Sequence, residues 1–385
     1  MKDELPLNDS ITLLRELATP NGILASRSTV ANYAAVFARD AIMAGIAGLA
    51  TGDEQIVAGL RRTLERLRDL QGPQGQIASN FRVEPDGRQH VSFGTLAPRF
   101  DSATWFLVGV GLLCARDQAQ YGEFAEAVER VVSLLDGIEY NGRHLLYVPA
   151  GGNWADEYPF DGYILYDQVL RAWGLRLLAG PARRPEWRTK ALQIAETIDA
   201  RFWPAHDWRY GGPRRYPVAA TSPVRTDEHV DLAACALLAV ADLLPHRSAV
   251  LLDLLRDDFL TQSKLVPAFS PVICEGDDEW EALAGYHLHG FRNRPHEYHN
   301  GGIWPVWLGW LAVAFARHGR TDDVQRLHAL TTTHLTRLTH FAFEEYFHGE
   351  TGEALGTQAM AYTATGFILL DLARQRTPEE WTWMT

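Results

Sequence analysis

Two stretches set carboxyls beside large rings. In Gly151-Gly152-Asn153-Trp154-Ala155-Asp156-Glu157-Tyr158, Asp and Glu lie between Trp and Tyr, and Phe343-Glu344-Glu345-Tyr346-Phe347-His348-Gly349 sets two Glu between rings. An acid packed against an apolar ring loses solvation, so its charged form is disfavoured and it holds a proton closer to neutral pH. One protonated carboxyl and one ionised carboxylate flanking a substrate are what cleavage of a glycosidic bond requires. Adjacent Glu344 and Glu345 point different ways, so at most one should face a substrate. Asp40 and Asp101 are two further acids beside aromatics. Asp101 precedes Ser102-Ala103-Thr104-Trp105, where an N-cap would explain it equally well. Asp40 lies among Val36, Phe37, Ala38, Ala41 and Ile42, where an acid needs an ion pair, with Arg39 nearest, or a polar ligand.

Helices must carry these residues. Apolar positions recur at spacings of three and four over roughly 8–17, 28–51, 53–71, 101–117, 122–139, 161–180, 184–203, 226–244, 246–260, 302–318, 320–339 and 356–375. Strand-like alternation is confined to short pieces at Gln89–Phe93 and His144–Val148, too few for a central sheet. The helical segments alternate between nearly all-apolar, as in Ile303-Trp304-Pro305-Val306-Trp307-Leu308, and charged and amphipathic. A helix that is apolar all round is buried, and an amphipathic one covers it. The pattern predicts an all-α fold of about six helical hairpins, an (α/α)6 barrel with long loops at one mouth, with an irregular α-solenoid as the competing architecture. The long connections, 72–100, 140–160, 204–225, 261–301 and 340–355, hold or adjoin Trp154, Tyr158, Trp203, Trp208, Trp280, Tyr286, Tyr298 and Trp304. No low-complexity tract divides residues 1–385, which reads as one catalytic domain.

Composition excludes several classes. A net charge of −12 gives phosphate backbones and anionic lipid surfaces no general footing, so neither nucleic acid nor membrane is an expected partner. The 12 Trp, 13 Tyr and 16 Phe suit either a large core or the C–H faces of sugars, and position must decide. Cys114, Cys235 and Cys274 stand far apart in no metal spacing and read as buried or half-buried thiols in a reducing compartment. Acids near the N-terminus and the lack of a long apolar run point to a cytoplasmic protein. His287, His289, His296 and His299 have no HExxH or Cys/His companions, so no metal is expected. No phosphate loop, dinucleotide fingerprint or nucleophile elbow appears, and no cofactor is expected. The expected partner is a small carbohydrate, and a homo-oligomer is left open.

Four segments, in order, resemble glycoside hydrolase family 100, the neutral/alkaline invertases. Asn32-Tyr33-Ala34-Ala35-Val36-Phe37-Ala38-Arg39-Asp40 is similar to that family's Asn-Tyr-x-x-Val-Phe-x-Arg-Asp block. Gly94-Thr95-Leu96-Ala97-Pro98-Arg99-Phe100-Asp101-Ser102-Ala103-Thr104-Trp105 is similar to Gly-Arg-Val-Ala-Pro-Val-Asp-Ser-Gly-Leu-Trp. Tyr298-His299-Asn300-Gly301-Gly302-Ile303-Trp304-Pro305-Val306 differs from the family block at one position, and Glu345-Tyr346-Phe347 with Gly356-Thr357-Gln358-Ala359 and Tyr362 resembles the last. The resemblance spans about 20–375. It implies the (α/α)6 fold, no metal or cofactor, and inversion at the glucosyl carbon of an α-glucoside such as sucrose. It carries Glu345 over as general base and Asp156 as general acid, with Asp161 in reserve, and Asp40, Asp101 and His299 as sugar contacts. The matched segments and the ring beside Asp156 supply the other substrate-binding candidates: Tyr33, Arg39, Trp105, Trp154, Asn300, Trp304, Gln358 and Tyr362. Two places depart from the family: Glu157-Tyr158-Pro159-Phe160 stands for Arg-Arg-Met-Gly, and Tyr362-Thr363-Ala364-Thr365 for Tyr-Gln-Thr-Trp. Kinship with hydrolases of glucosylglycerate or mannosylglycerate keeps an anionic aglycone open, with Arg99, Arg292 or Arg294 as a carboxylate clamp or as solvated loop charges. A sugar epimerase using His299 as base, and a non-catalytic sugar-binding protein, are readings from other classes.

Overall fold

In the computed structural model the described residues are 5–29, 32–94, 97–139, 142–204, 215–285 and 290–385. Thr95, Leu96, Trp208, Tyr286, His287 and His289, all singled out above, lie outside them. The helices are α1 (Leu7–Leu17), α2 (Ala38–Thr51), α3 (Glu54–Asp69), α4 (Asp101–Arg116), α5 (Tyr121–Ile138), α6 (Leu165–Leu178), α7 (Pro185–Arg201), α8 (Leu232–Ala241), α9 (Pro245–Asp258), α10 (Trp280–Gly285), α11 (Pro305–Arg317), α12 (Thr321–Thr336) and α13 (Ala361–Gln375).

Helices α2, α4, α6, α8, α11 and α13 pack each against the next, and α13 returns to α2, which closes a ring. That closure makes the fold an (α/α)6 barrel rather than an open solenoid. The inner helices are buried nearly all round: every residue of α8 is buried, and in α11 only Arg317 is partly exposed. Outer helices bury one stripe, as α3 does with Ile56, Leu60, Leu64 and Leu67. Asp53 caps α3 by accepting from the Gln55 and Ile56 amides at 3.1 Å. Where α11 meets α13, a Cβ on Gly309 would run into the Gly366 carbonyl, and one on Gly366 into the Pro305 carbonyl. The two backbones touch there because neither residue has a side chain.

The expected segments 28–51, 161–180, 226–244, 302–318 and 356–375 start too early. An extended lead precedes each of these inner helices: Val36–Phe37 pairs with Asn80–Phe81, Tyr163–Ile164 with Ala220–Thr221, and Val230–Asp231 with Phe269–Ser270. Ile303 bridges Phe347, and Met360 bridges Ser26. A short buried apolar lead has no periodicity to separate it from the buried helix that follows. Gln89–Ser92 is a strand as expected, whereas His144–Val148 makes only isolated bridges at Leu146 and Val148. The six-residue α10 was not anticipated. Cys114 and Cys235 are buried, but Cys274 is exposed, contrary to the expectation for all three. No described helix is long and apolar enough to cross a membrane.

Candidate active site

The N-terminal ends of α2, α4, α11 and α13 meet at one cavity of about 590 Å³. Asp40, Asp101, Trp304 and Tyr362 line it from those ends. The loops above add Tyr33, Arg99, Trp154, Asp156, Glu157, Arg292, Tyr298, His299 and Glu345. The volume falls in the range of small-molecule sites.

Glu345 is 5% exposed, and its Oε1 accepts a hydrogen bond from the Tyr33 hydroxyl at 2.9 Å. Gly356, at φ +83°, makes room for it, since a Cβ there would lie 2.7 Å from Glu345 Oε2. Burial pushes the Glu345 carboxyl up to about 7; the Arg292 charge, the Tyr33 hydroxyl and the Thr357 amide pull it down, and Asp40 adds to the rise. Glu344 turns away: its oxygens accept from the Ala342 amide at 2.8 Å and the Gln358 amide group at 3.0 Å. Phe343, with φ 58°, precedes the pair at this turn.

Asp156 comes from the opposite loop and pairs through Oδ2 with Arg99 at 2.6 Å. Arg99 also donates to the Gly151 carbonyl, which anchors the same loop. On the floor, Arg39 donates to Asp101 at 2.7 Å and lies 3.6 Å from Asp40 Oδ2. Burial raises Asp40 to about 6, with Asp101 adding to the rise and Arg39 opposing it. Burial first, and then three nearby arginines, hold His299 far below its ordinary value, so it is neutral. Asp40 Oδ2, Arg39 Nε, Trp154 Nε1 and His299 Nδ1 have no hydrogen-bond partner within the described protein, which leaves polar capacity at the cavity wall. No described group of three or more His, Cys, Asp or Glu is placed to hold a metal ion.

Residues 222–375 match the family model described as alkaline and neutral invertase. The chain is related to the alkaline and neutral invertases and is a glycoside hydrolase. Probable alkaline/neutral invertase F of Arabidopsis thaliana is 24% identical over 96% of this chain and 89% of its own length. Probable alkaline/neutral invertase D of the same plant is 23% identical over 86% and 73%. In fold, this glycoside hydrolase resembles the family 63 mannosylglycerate hydrolase of Thermus thermophilus solved with Tris and D-glycerate. The TM-score is 0.67 at 14% identity, over 96% of this chain and all of that one. A bacterial glucoamylase complexed with acarbose gives a TM-score of 0.67 at 14% identity, over 98% of this chain and 56% of that one.

Of the candidates read from sequence, Asp156, Glu345, Tyr33, Arg39, Asp40, Asp101, Trp154, His299, Trp304 and Tyr362 line this cavity. Trp105, Asn300, Gln358 and the reserve acid Asp161 do not. Trp105 lies within the ring core, donating from its indole to the Tyr166 hydroxyl at 2.7 Å. Asn300 braces its loop through the Ile273 amide and carbonyl, both at 2.8 Å. Gln358 is exposed and holds Glu344, and Asp161 accepts from the Tyr147 hydroxyl at 3.2 Å. Asp101 lies in the first turn of α4 and spends its carboxylate on Arg39 rather than on capping. Trp154 and Trp304 satisfy both readings of the aromatic surplus, being 3% exposed and yet lining the cavity. Arg99 and Arg292 are neither solvated charges nor free clamps, because each is paired to an acid, whereas Arg294 is exposed. Sequence reasoning missed Glu157 and Tyr298 as cavity residues. Glu157 stands beside Asp156, and Tyr298 begins a matched motif; only these adjacencies signalled them.

Proposed function

We propose that this glycoside hydrolase cleaves a small neutral α-glucoside, sucrose first among them, with inversion. Glu345 acts as general base on the attacking water, and Asp156, on leaving its pair with Arg99 and taking up a proton from solvent, protonates the leaving oxygen. The observation that carries this reading is that two carboxyls from loops nearly two hundred residues apart line one cavity. One of them is buried and oriented by Tyr33. Asp40, Arg39 and His299 offer polar atoms to the glucosyl hydroxyls, and Trp154, Trp304 and Tyr362 offer ring surface. The names of the invertase relatives favour sucrose. We read residues 1–385 as one catalytic domain, and the three free thiols fit a reducing, cytoplasmic setting.

Charge argues against an anionic aglycone. Among the described lining residues Arg39 and Arg292 are paired with Asp101 and Glu157, and Arg99 is paired with Asp156, the proposed acid itself. A glycerate carboxylate would have to displace one of those acids or meet them unpaired. Initial rates on sucrose, trehalose, glucosylglycerate and short α-glucosides test this. Sucrose should exceed glucosylglycerate in kcat/KM by at least about tenfold, and the reverse order would overturn the neutral-aglycone reading.

A further inference from the structure

The bidentate ion pair between Arg292 and Glu157 has been given no role in the catalytic step. Arg292 Nη2 donates to Glu157 Oε1 at 2.6 Å, and Nε to Oε2 at 3.1 Å. The Glu157 side chain is 5% exposed. The guanidinium carbon lies 4.1 Å from the centroid of the Tyr298 ring, which fixes the fork from a second side. The neighbouring Asn293 donates to the Glu157 carbonyl at 2.7 Å, so the two loops are already joined without the ion pair. Arg292, Tyr33 and Glu345 line the same cavity, and the Tyr33 hydroxyl donates to Glu345 at 2.9 Å. Two contacts, Glu157 with Arg292 and Tyr33 with Glu345, therefore share one cavity and place the Arg292 charge in the surroundings of the carboxylate on its far side. A guanidinium has five N–H donors, and Glu157 takes two of them.

We propose that Arg292 is a positioning residue, held by Glu157 and the Tyr298 ring so that one guanidinium charge is divided between two carboxyls, Glu157 and Glu345. This rests on the reading of Glu345 as general base. The groups around Glu345 include Tyr33, Arg292, Asp40 and the Thr357 amide, with the Tyr298 and Tyr346 phenols beside it and Arg39, Arg99, Asp101, Asp156 and Glu157 elsewhere in the cavity. Arg39 and Arg99 are paired with Asp101 and Asp156, and Arg292 is the positive charge that chiefly opposes the rise of Glu345. Glu157 partly neutralises that charge, so the two members of the pair act on the base in opposite senses.

The sign follows from electrostatics. Removing the Arg292 charge leaves Glu345 harder to ionise, so the acid limb of kcat/KM moves to higher pH. Removing the Glu157 charge leaves Arg292 uncompensated, makes Glu345 easier to ionise, and moves the limb to lower pH.

The test is the pH profile of kcat/KM for wild type, Arg292→Gln, Arg292→Lys, Glu157→Gln and the double glutamine variant. Arg292→Gln should raise the limb by roughly one pH unit. Glu157→Gln should lower it, Arg292→Lys should stay near wild type, and the double variant should fall between the two single variants. Glu157→Gln is isosteric, so its downward shift stands as the test even where Arg292→Gln does not fold. Shifts in one direction for both single variants, or lower rates with the limb unmoved, would mean a purely structural pair and would overturn the proposal. Glu345→Gln, measured alongside, separates the two ideas. Wild-type turnover in that variant removes the base reading, and this inference with it; an inactive Glu345→Gln beside an unmoved limb removes this inference alone.

Discussion

Glu345→Gln lowers kcat by about a thousandfold or more, the upper part of the range for loss of a general base, while the barrel stays folded. The amide keeps the shape of the side chain and can still accept from Tyr33, but it cannot take the proton of an attacking water. On the proposed role, the same carboxyl should set the pH range of the enzyme. A base must be ionised to work, and burial holds Glu345 at about 7, so kcat/KM falls as pH drops through neutrality. Glu344→Gln is the control. Both Glu344 oxygens are engaged within the protein, so the change costs about 1 kcal/mol of stability through a weakened hydrogen bond and little rate. Steady-state rates and thermal melts on the two variants check this, and a dead Glu344→Gln beside an active Glu345→Gln would exchange their roles.

Asp156→Asn produces a loss that depends on the leaving group. An unactivated sugar hydroxyl leaves only if it is protonated as the bond breaks, whereas fluoride or an acidic phenol leaves without that help. We therefore expect about a hundredfold or greater loss on sucrose and a much smaller one on α-glucosyl fluoride or an activated aryl glucoside. Asp161→Asn should reduce both equally and slightly, because Asp161 lies outside the cavity against Tyr147. A selective loss in Asp161→Asn, with equal losses in Asp156→Asn, would move the acid role to Asp161.

The barrel was legible because its two rings differ in pattern. A segment such as Leu232–Ala241 is apolar at every angle, whereas Glu54–Asp69 is apolar on one side only. The helix starts were not legible, since Val36–Phe37 and Tyr163–Ile164 are short, half-buried apolar strands that read as continuous with the helices behind them. Asp40, Asp156 and Glu345 were visible because an acid among apolar residues or rings calls for an explanation. Their geometry was not, since Tyr33 reaches Glu345 across 312 residues and Arg292 reaches Glu157 across 135. Trp105 shows the limit of reasoning by neighbourhood. It is four residues from Asp101, one turn further along α4, and that turn carries it from the cavity wall into the core.

The most direct measurement is anomer-resolved NMR during the first minutes of sucrose hydrolysis, before mutarotation mixes the products. In the proposed mechanism a water activated by Glu345 attacks the face opposite the leaving oxygen, which requires room between base and sugar, with carboxyls about 6.5–9.5 Å apart. The account predicts β-glucose as the first glucose signal, with the α anomer growing in later at the rate of mutarotation. Initial α-glucose would mean retention through a covalent intermediate and would contradict the assignment of Glu345 as a base acting on water.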